Sequence, residues 1–170
     1  MAMLTFLEIK AAGEDAPVLF GEDNTHGEWG GADVSAWLEC SGFESAYESG
    51  QESAGAPRGR RLWRPAQFVL RLGKSTPWLF EAARTNKRID LTLHLFHRHP
   101  ETSEIELNFA YRIRGGRISA LRLVQPDPHD QTSAHVSNRL ELSVLPHTVE
   151  IESLTGSTMM VDDWGNSAVR

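Results

Sequence analysis

The stretch Glu104–Arg114 constrains the fold more than any other part of the chain. Ile105, Leu107, Phe109, Tyr111 and Ile113 alternate with Glu104, Glu106, Asn108, Ala110, Arg112 and Arg114. A period of two over this length is the pattern of a strand with one face on a core and the other toward solvent. Gly115-Gly116 follow, and glycine accepts positive φ without steric cost, so a tight turn is predicted there. Arg117–Val124 then returns as the second strand of a hairpin.

Other segments carry the same signal. Leu4–Lys10 reads as a strand with apolar residues on both sides. Val34, Ala36, Leu38 and Cys40 alternate with polar or bulky neighbours, as do Phe68, Leu70 and Leu72. Ile89–Phe96 places Leu91, Leu93 and Leu95 on one face and Thr92, His94 and Phe96 on the other. Leu140, Leu142 and Val144 share a face, while Val149 and Ile151 continue in the opposite parity. A bend or bulge is therefore expected around Leu145-Pro146-His147.

One helix stands out at about residues 76–86. Thr76 can cap it, Pro77 suits its first position, and Asn86 can end it in the left-handed region. Trp78 with Ala82, and Leu79 with Ala83, are four-residue pairs that pack one side. At about 1.5 Å per residue the helix is short, a cover on a sheet rather than a bundle element. Residues 42–59 and 126–137 are polar and read as an extended loop and a surface loop. Six or more mostly antiparallel strands and one helix in 170 residues predict a single, mainly β domain: a closed two-sheet antiparallel β-barrel with a flanking helix.

The net charge of −6 conceals an asymmetry. Residues 1–56 hold eleven acids and one base, Lys10; residues 57–122 hold fourteen bases and five acids. Residues 123–170 hold seven acids and two bases. The run Arg58-Gly59-Arg60-Arg61-Leu62-Trp63-Arg64 suits nucleic acid or a protein interface. One aromatic among four arginines in an acidic chain favours the interface, and no nucleic-acid partner is expected. No apolar run reaches the roughly 18 residues of a membrane helix. The N-terminus lacks a basic region before its short apolar stretch, so neither a cleavable signal nor a membrane anchor is expected. The single cysteine, Cys40, suits a small buried residue in a chain folded in a reducing cytoplasm.

Motifs for chemistry are sparse. His94, His97 and His99 invite a metal reading, but on a strand His94 faces away from the other two, and no carboxylate completes a ligand set. His129, Asp130 and His135 sit in a polar loop; a hydrolase would need them to converge beside a cavity. No Gly-x-Ser-x-Gly elbow, Walker loop or dinucleotide fingerprint occurs. No metal, no cofactor and no enzymatic activity are expected.

Three stretches carry a family resemblance. They are Leu4–Lys10; Thr25-His26-Gly27-Glu28-Trp29 leading into Val34-Ser35-Ala36-Trp37; and Phe68–Gly73 followed by Lys74-Ser75-Thr76-Pro77 and a short apolar helix. In these the chain resembles the haemolysin-coregulated tube proteins (Hcp) of bacterial type VI secretion systems. The resemblance implies a β-barrel with a flanking helix, a homohexameric ring, and rings stacked into a tube. Effector proteins in the lumen, a spike protein at the tip and a contractile sheath around the tube are the implied partners. The protein would be cytoplasmic before firing and then secreted. By position, residues 42–64 would reach neighbouring subunits or rings. The interface residues carried over are Glu44, Tyr47, Glu48, Glu52, Arg58, Arg60, Arg61 and Trp63, with the glutamates of one subunit facing Arg58, Arg60 and Arg61 of another. The acid- and arginine-laden loop and the ending Met159–Asn166 depart from the family pattern. Alternatives are a monomeric ligand-binding barrel or effector with this fold, and a tail-tube protein of another contractile particle.

Overall fold

A computed structural model describes residues 4–15, 26–49, 61–127, 129 and 137–163. In chain order the strands are β1 (Thr5–Ala11), β2 (Glu28–Trp29), β3 (Ala32–Asp33), β4 (Leu38–Glu44), β5 (Tyr47–Ser49), β6 (Arg61–Trp63) and β7 (Ala66–Arg71). The helix α1 (Ser75–Arg84) follows, then β8 (Arg88–Arg98), β9 (Ile105–Val124), β10 (Arg139–Leu145), β11 (Thr148–Ser153) and β12 (Thr158–Asp163). Eight strands form one antiparallel sheet in the order β10-β7-β4-β1-β8-β9-β11-β12, and β10 also pairs with β9. The pairings therefore run in a cycle from β10 through β7, β4, β1, β8 and β9 back to β10. The remaining strands form two ribbons, β2-β3 and β5-β6. None of the helices among the described residues is long and apolar enough to cross a membrane.

The cycle depends on β9, which overturns the predicted hairpin. Residues 105–124 are one strand of 20 residues, not two strands around a turn. Its first half pairs with β8 and β11, and its second half pairs with β10. Gly115 does have positive φ, at 61°. It uses that freedom in a bulge, where the register between β8 and β9 shifts between Ile89 and Leu91. The Asp90 Oδ1 accepts the Gly115 N–H at 2.7 Å, satisfying the amide the bulge removes from the ladder. Gly-Gly permits a turn and a bulge alike; the partner strands decide between them.

A second bulge corrects the face assignment of β9. The register shifts between Leu95 and Phe96, leaving Asn108 as the extra residue on β9. Side-chain parity reverses there. Tyr111 and Ile113 join the main core, whereas Ile105 and Leu107 pack against a second cluster on the opposite face. At β10 and β11 the break at Pro146-His147 falls where the parity change places it, with Leu140, Leu142, Val144 and Val149 all buried in one core.

Strand β4 begins at Leu38, so the predicted strand from Val34 starts four residues too early. The Asp33 Oδ1 accepts the Ser35 N–H at 3.0 Å, and the Trp37 N–H donates to the Val34 carbonyl at 3.0 Å. This local turn competes with the ladder. The helix starts one residue before its predicted cap: Lys74 holds the N-cap position, and Thr76 lies inside, where its Oγ1 accepts the Gly73 N–H. Its end follows the expectation. Asn86 has φ 53°, the Asn86 N–H donates to the Ala83 carbonyl, and the Lys87 N–H donates to the Ala82 carbonyl. Those two bonds are a Schellman closure.

The main core holds Leu7, Ile9, Leu38, Phe68, Leu70, Leu79, Leu91, Leu93, Ile113 and Leu140, each at most 2% exposed. Cys40 lies in it as a free thiol, pushed up to about 11 by burial. On the other face of β1 and β8, Phe6, Val34 and Phe96 form the second cluster, with Trp29 and Trp37 packed against it. A strand covered on both faces needs apolar residues at both parities, which accounts for Phe6 and Leu7 standing side by side in β1.

Candidate assembly interface

The ribbon β5-β6 continues outward from β4 and β7. Tyr47 pairs with Trp63, Glu48 with Leu62 and Ser49 with Arg61. The Tyr47 and Trp63 rings stand 5.2 Å apart at 60°. Tyr47 is exposed, but Trp63 is only 7% exposed and belongs to the main core. Its Nε1 donates to the Asp162 Oδ2 at 3.0 Å, tying the ribbon to β12. Trp63 thus works within the subunit, because a buried indole N–H needs an acceptor and β12 supplies one.

Glu44 ends β4, exposed, opposite Gln67. Glu48 is ion-paired with Arg64 of the same subunit at 2.7 Å. The expected partners of that glutamate were arginines of another subunit. Both side chains are exposed, so the pair contributes about 0–1 kcal/mol. Glu52, Arg58 and Arg60 lie outside the described residues, and Arg61 is placed through its backbone in β6 alone.

On α1, Leu79 and Ala82 are buried, while Trp78 and Ala83 are half-buried. The Lys87 Nζ sits 5.7 Å from the Trp78 ring centre. Phe80 faces outward, exposed, on the opposite side of the helix.

The histidines separate into unrelated environments. His94 stacks on Trp37 with ring centres 3.8 Å apart, nearly parallel, and its Nε2 lies 3.3 Å from the Glu8 Oε2. Lys10 is 3.1 Å from the other Glu8 oxygen. The hydrogen bond from His94, aided by Lys10, holds the Glu8 carboxyl below the usual carboxylate range against the opposing effect of burial. His97 pairs with Glu106 at 3.1 Å. The His99 Nδ1 accepts the N–H groups of Glu101 and Thr102, closing the turn into β9. The Asp127 Oδ1 accepts the His129 N–H at 2.9 Å, and Asp130 and His135 lie outside the described residues.

A surface that periodicity did not single out lies at the far end of the sheet. Met159, Met160 and Val161 on β12 are 58%, 41% and 54% exposed. The signal was present as three consecutive apolar residues, but alternation cannot tell a doubly covered strand from a doubly bare one.

The eight-stranded antiparallel sheet with its flanking helix matches solved structures along nearly its whole length. An Hcp protein superposes with TM-score 0.79 at 20% identity, covering 96% of this chain and 98% of that one. A double mutant of an Hcp protein from E. coli EAEC 042 gives 0.75 at 15% identity, over 96% and 99%. This chain has the Hcp fold. The secreted protein Hcp3 of Pseudomonas aeruginosa gives 0.71 at 14% identity, again over 96% and 99%. No family model and no curated protein matches the sequence. Within the Hcp fold, the stretches that carried the sequence resemblance are β1, the turn and hairpin around β2 and β3, and the β7–α1 unit.

Proposed function

We propose that this chain is a structural tube subunit of a type VI secretion system. The carrying observation is that its fold matches Hcp proteins end to end, with 96% of this chain and 98% of the other superposed. In this reading the β9–β10 pairing closes the main sheet into a barrel. Subunits join as homohexameric rings, and the rings stack into a tube with effector proteins in its lumen. A spike protein caps the tip, a contractile sheath surrounds the tube, and the protein has no catalytic role. It resides in the cytoplasm until firing and is then secreted. Residues 42–64 are the proposed contact with neighbouring subunits or rings, with Glu44 and Tyr47 as exposed groups. Glu52, Arg58, Arg60 and Arg61 would supply the charges.

Light scattering behind size exclusion, at low and high salt, tests the reading. A mass of six 19.0 kDa subunits is expected, with partial dissociation in high salt because screened charge pairs weaken. A clean monomer at every concentration and salt level overturns it. That outcome favours a second reading, an effector built on the same fold. A type VI secretion system effector from Yersinia pestis superposes with TM-score 0.59 at 11% identity, over 93% of this chain and 98% of that one.

A further inference from the structure

Residues 26–37 pack on the outer face of β1 and β8, yet their strands stand apart from the main sheet. Among the described residues, β2 and β3 pair only with each other, Glu28 opposite Asp33 and Trp29 opposite Ala32. Gly30 and Gly31, at φ 55° and 75°, close this hairpin. Two successive positive φ values give a two-residue turn whose twist matches its strands. The Val34 N–H donates to the Gly27 carbonyl at 3.2 Å, and the Ser35 N–H donates to the Asp33 Oδ1 at 3.0 Å. These amides find acceptors inside the segment. The surface beneath is held independently, since Phe6 lies in the ladder between Glu39 of β4 and His94 of β8.

Side-chain packing joins the segment to the sheet. Phe6, Val34 and Phe96 form the buried centre of the contact, with Trp29, Ala32 and Trp37 against them. The His26 and Trp37 rings stand 5.9 and 6.5 Å from that of Phe6. Gly30 approaches most closely: a Cβ there would lie 2.8 Å from the Phe96 Cδ1 and 3.0 Å from the Ile105 carbonyl oxygen. At the root of the segment, one residue before β4, Trp37 is anchored by its stack on His94. The seam is imperfect in its hydrogen bonding. The Trp29 Nε1 on the segment and the His94 Nδ1 on β8 are both buried without a partner. A buried polar atom left unpaired costs free energy, and water entering an opened seam removes that cost. Burial of Phe6 and Val34 favours the closed seam, whereas the two nitrogens favour the open one.

We propose that residues 27–36 form a gate that swings as a unit about Trp37 while the main sheet stays paired. Opened, the gate bares Phe6 and Phe96, with Ile105 and Leu107 beside them, an apolar face that the closed subunit hides. A molecule that binds this face selects the open form, and it can shift the gate only by as much as it prefers that form. Main-chain pairing of its own and a single seam of side chains are the properties of a unit that opens locally. The gate belongs to the single subunit and does not depend on contacts between copies.

The native thiol supplies an internal reference for the test. Val34 is 0% exposed in the gate, and Cys40 is 5% exposed in the main core. The full chain carrying Val34→Cys is treated with an aromatic disulfide reagent, and mass spectrometry follows each thiol. Each rate is divided by that of the same thiol in the urea-unfolded chain. Cys40 should label only when the main sheet opens. The thiol at position 34 should label at least about a hundredfold faster, at a rate that low urea scarcely changes, because local opening exposes little surface. Equal rates with the same urea dependence overturn the gate. Should Val34→Cys fail to fold by circular dichroism, amide exchange of the wild-type chain decides. There the Val34 N–H should exchange at least about a hundredfold faster than the Leu93 N–H of β8, and equal protection overturns the gate.

Discussion

Strands β1 and β12 are nearly equal in length, 7 and 6 residues, and belong to the same sheet, yet their environments are opposite. Phe6, Leu7, Ile9 and Ala11 are each at most 1% exposed, while Met159 and Val161 are more than half exposed. Both strands carry apolar residues at both parities. In β1, Leu7 and Ile9 face the main core, and Phe6 faces the cluster built from Val34, Phe96, Trp29 and Trp37. In β12, Met159, Met160 and Val161 are exposed, and the Trp63 indole reaches only the Asp162 end of the strand. The lesson is that a doubly apolar strand requires two covers. The subunit supplies both to β1 and, among the described residues, leaves Met159, Met160 and Val161 of β12 without them.

Substitutions that remove one cover should separate the two strands. Phe6→Ala leaves a void between Phe96 and Trp37, whose ring centres lie 5.9 and 6.5 Å from that of Phe6. It should lower unfolding free energy by about 3–5 kcal/mol in urea titrations. A loss below about 1 kcal/mol would break the comparison. Gly30→Ala acts on the same cover from outside. Gly30 has φ +55°, and a Cβ there would lie 2.8 Å from the Phe96 Cδ1. The cost should be about 1–3 kcal/mol, from strain and from pushing Phe96 out of place.

The acid limb of stability sharpens the outer face of β1. The Glu8 pKa is lowered in the folded state, first by the His94 hydrogen bond and then by Lys10. A depressed carboxylate stabilises the fold above its unfolded pKa, and that contribution is lost as pH falls through the folded value. Glu8→Gln should therefore lower the melting temperature near neutral pH and reduce its decline in acid, read by melts across the acid range. Equal losses at all pH values would rule out the ionised pair. The smallest effect belongs to β12: Met159→Ser should change monomer stability by no more than about 0.5 kcal/mol, because the side chain is already in water. A larger loss under dissociating conditions would place a cover over β12 within the subunit.

Much of the fold was legible in residue order. The strands at β1, β7, β8 and β10, the helix after Gly73, its left-handed stop at Asn86 and the break at Pro146-His147 follow from periodicity and from what proline, glycine and asparagine permit. The site was less legible. Tyr47 and Glu44 are exposed, whereas Trp63 is buried within the subunit and bonded to Asp162, a difference that residue type alone does not reveal. Its pairing partner lies 99 residues away, and no local pattern encodes such a distance.

The sequence by itself determined which segments extend, which coils into a helix, and where each element stops, since these depend on neighbours within a few residues. Tertiary structure alone decided that Gly115 bends one long strand instead of ending it, that β9 reaches both β8 and β10, and that parity reverses at Asn108. It also decided that β1 is covered on both faces while Met159, Met160 and Val161 of β12 stay exposed. These outcomes depend on which strand lies alongside which, and pairing brings together residues whose separation along the chain carries no local signal.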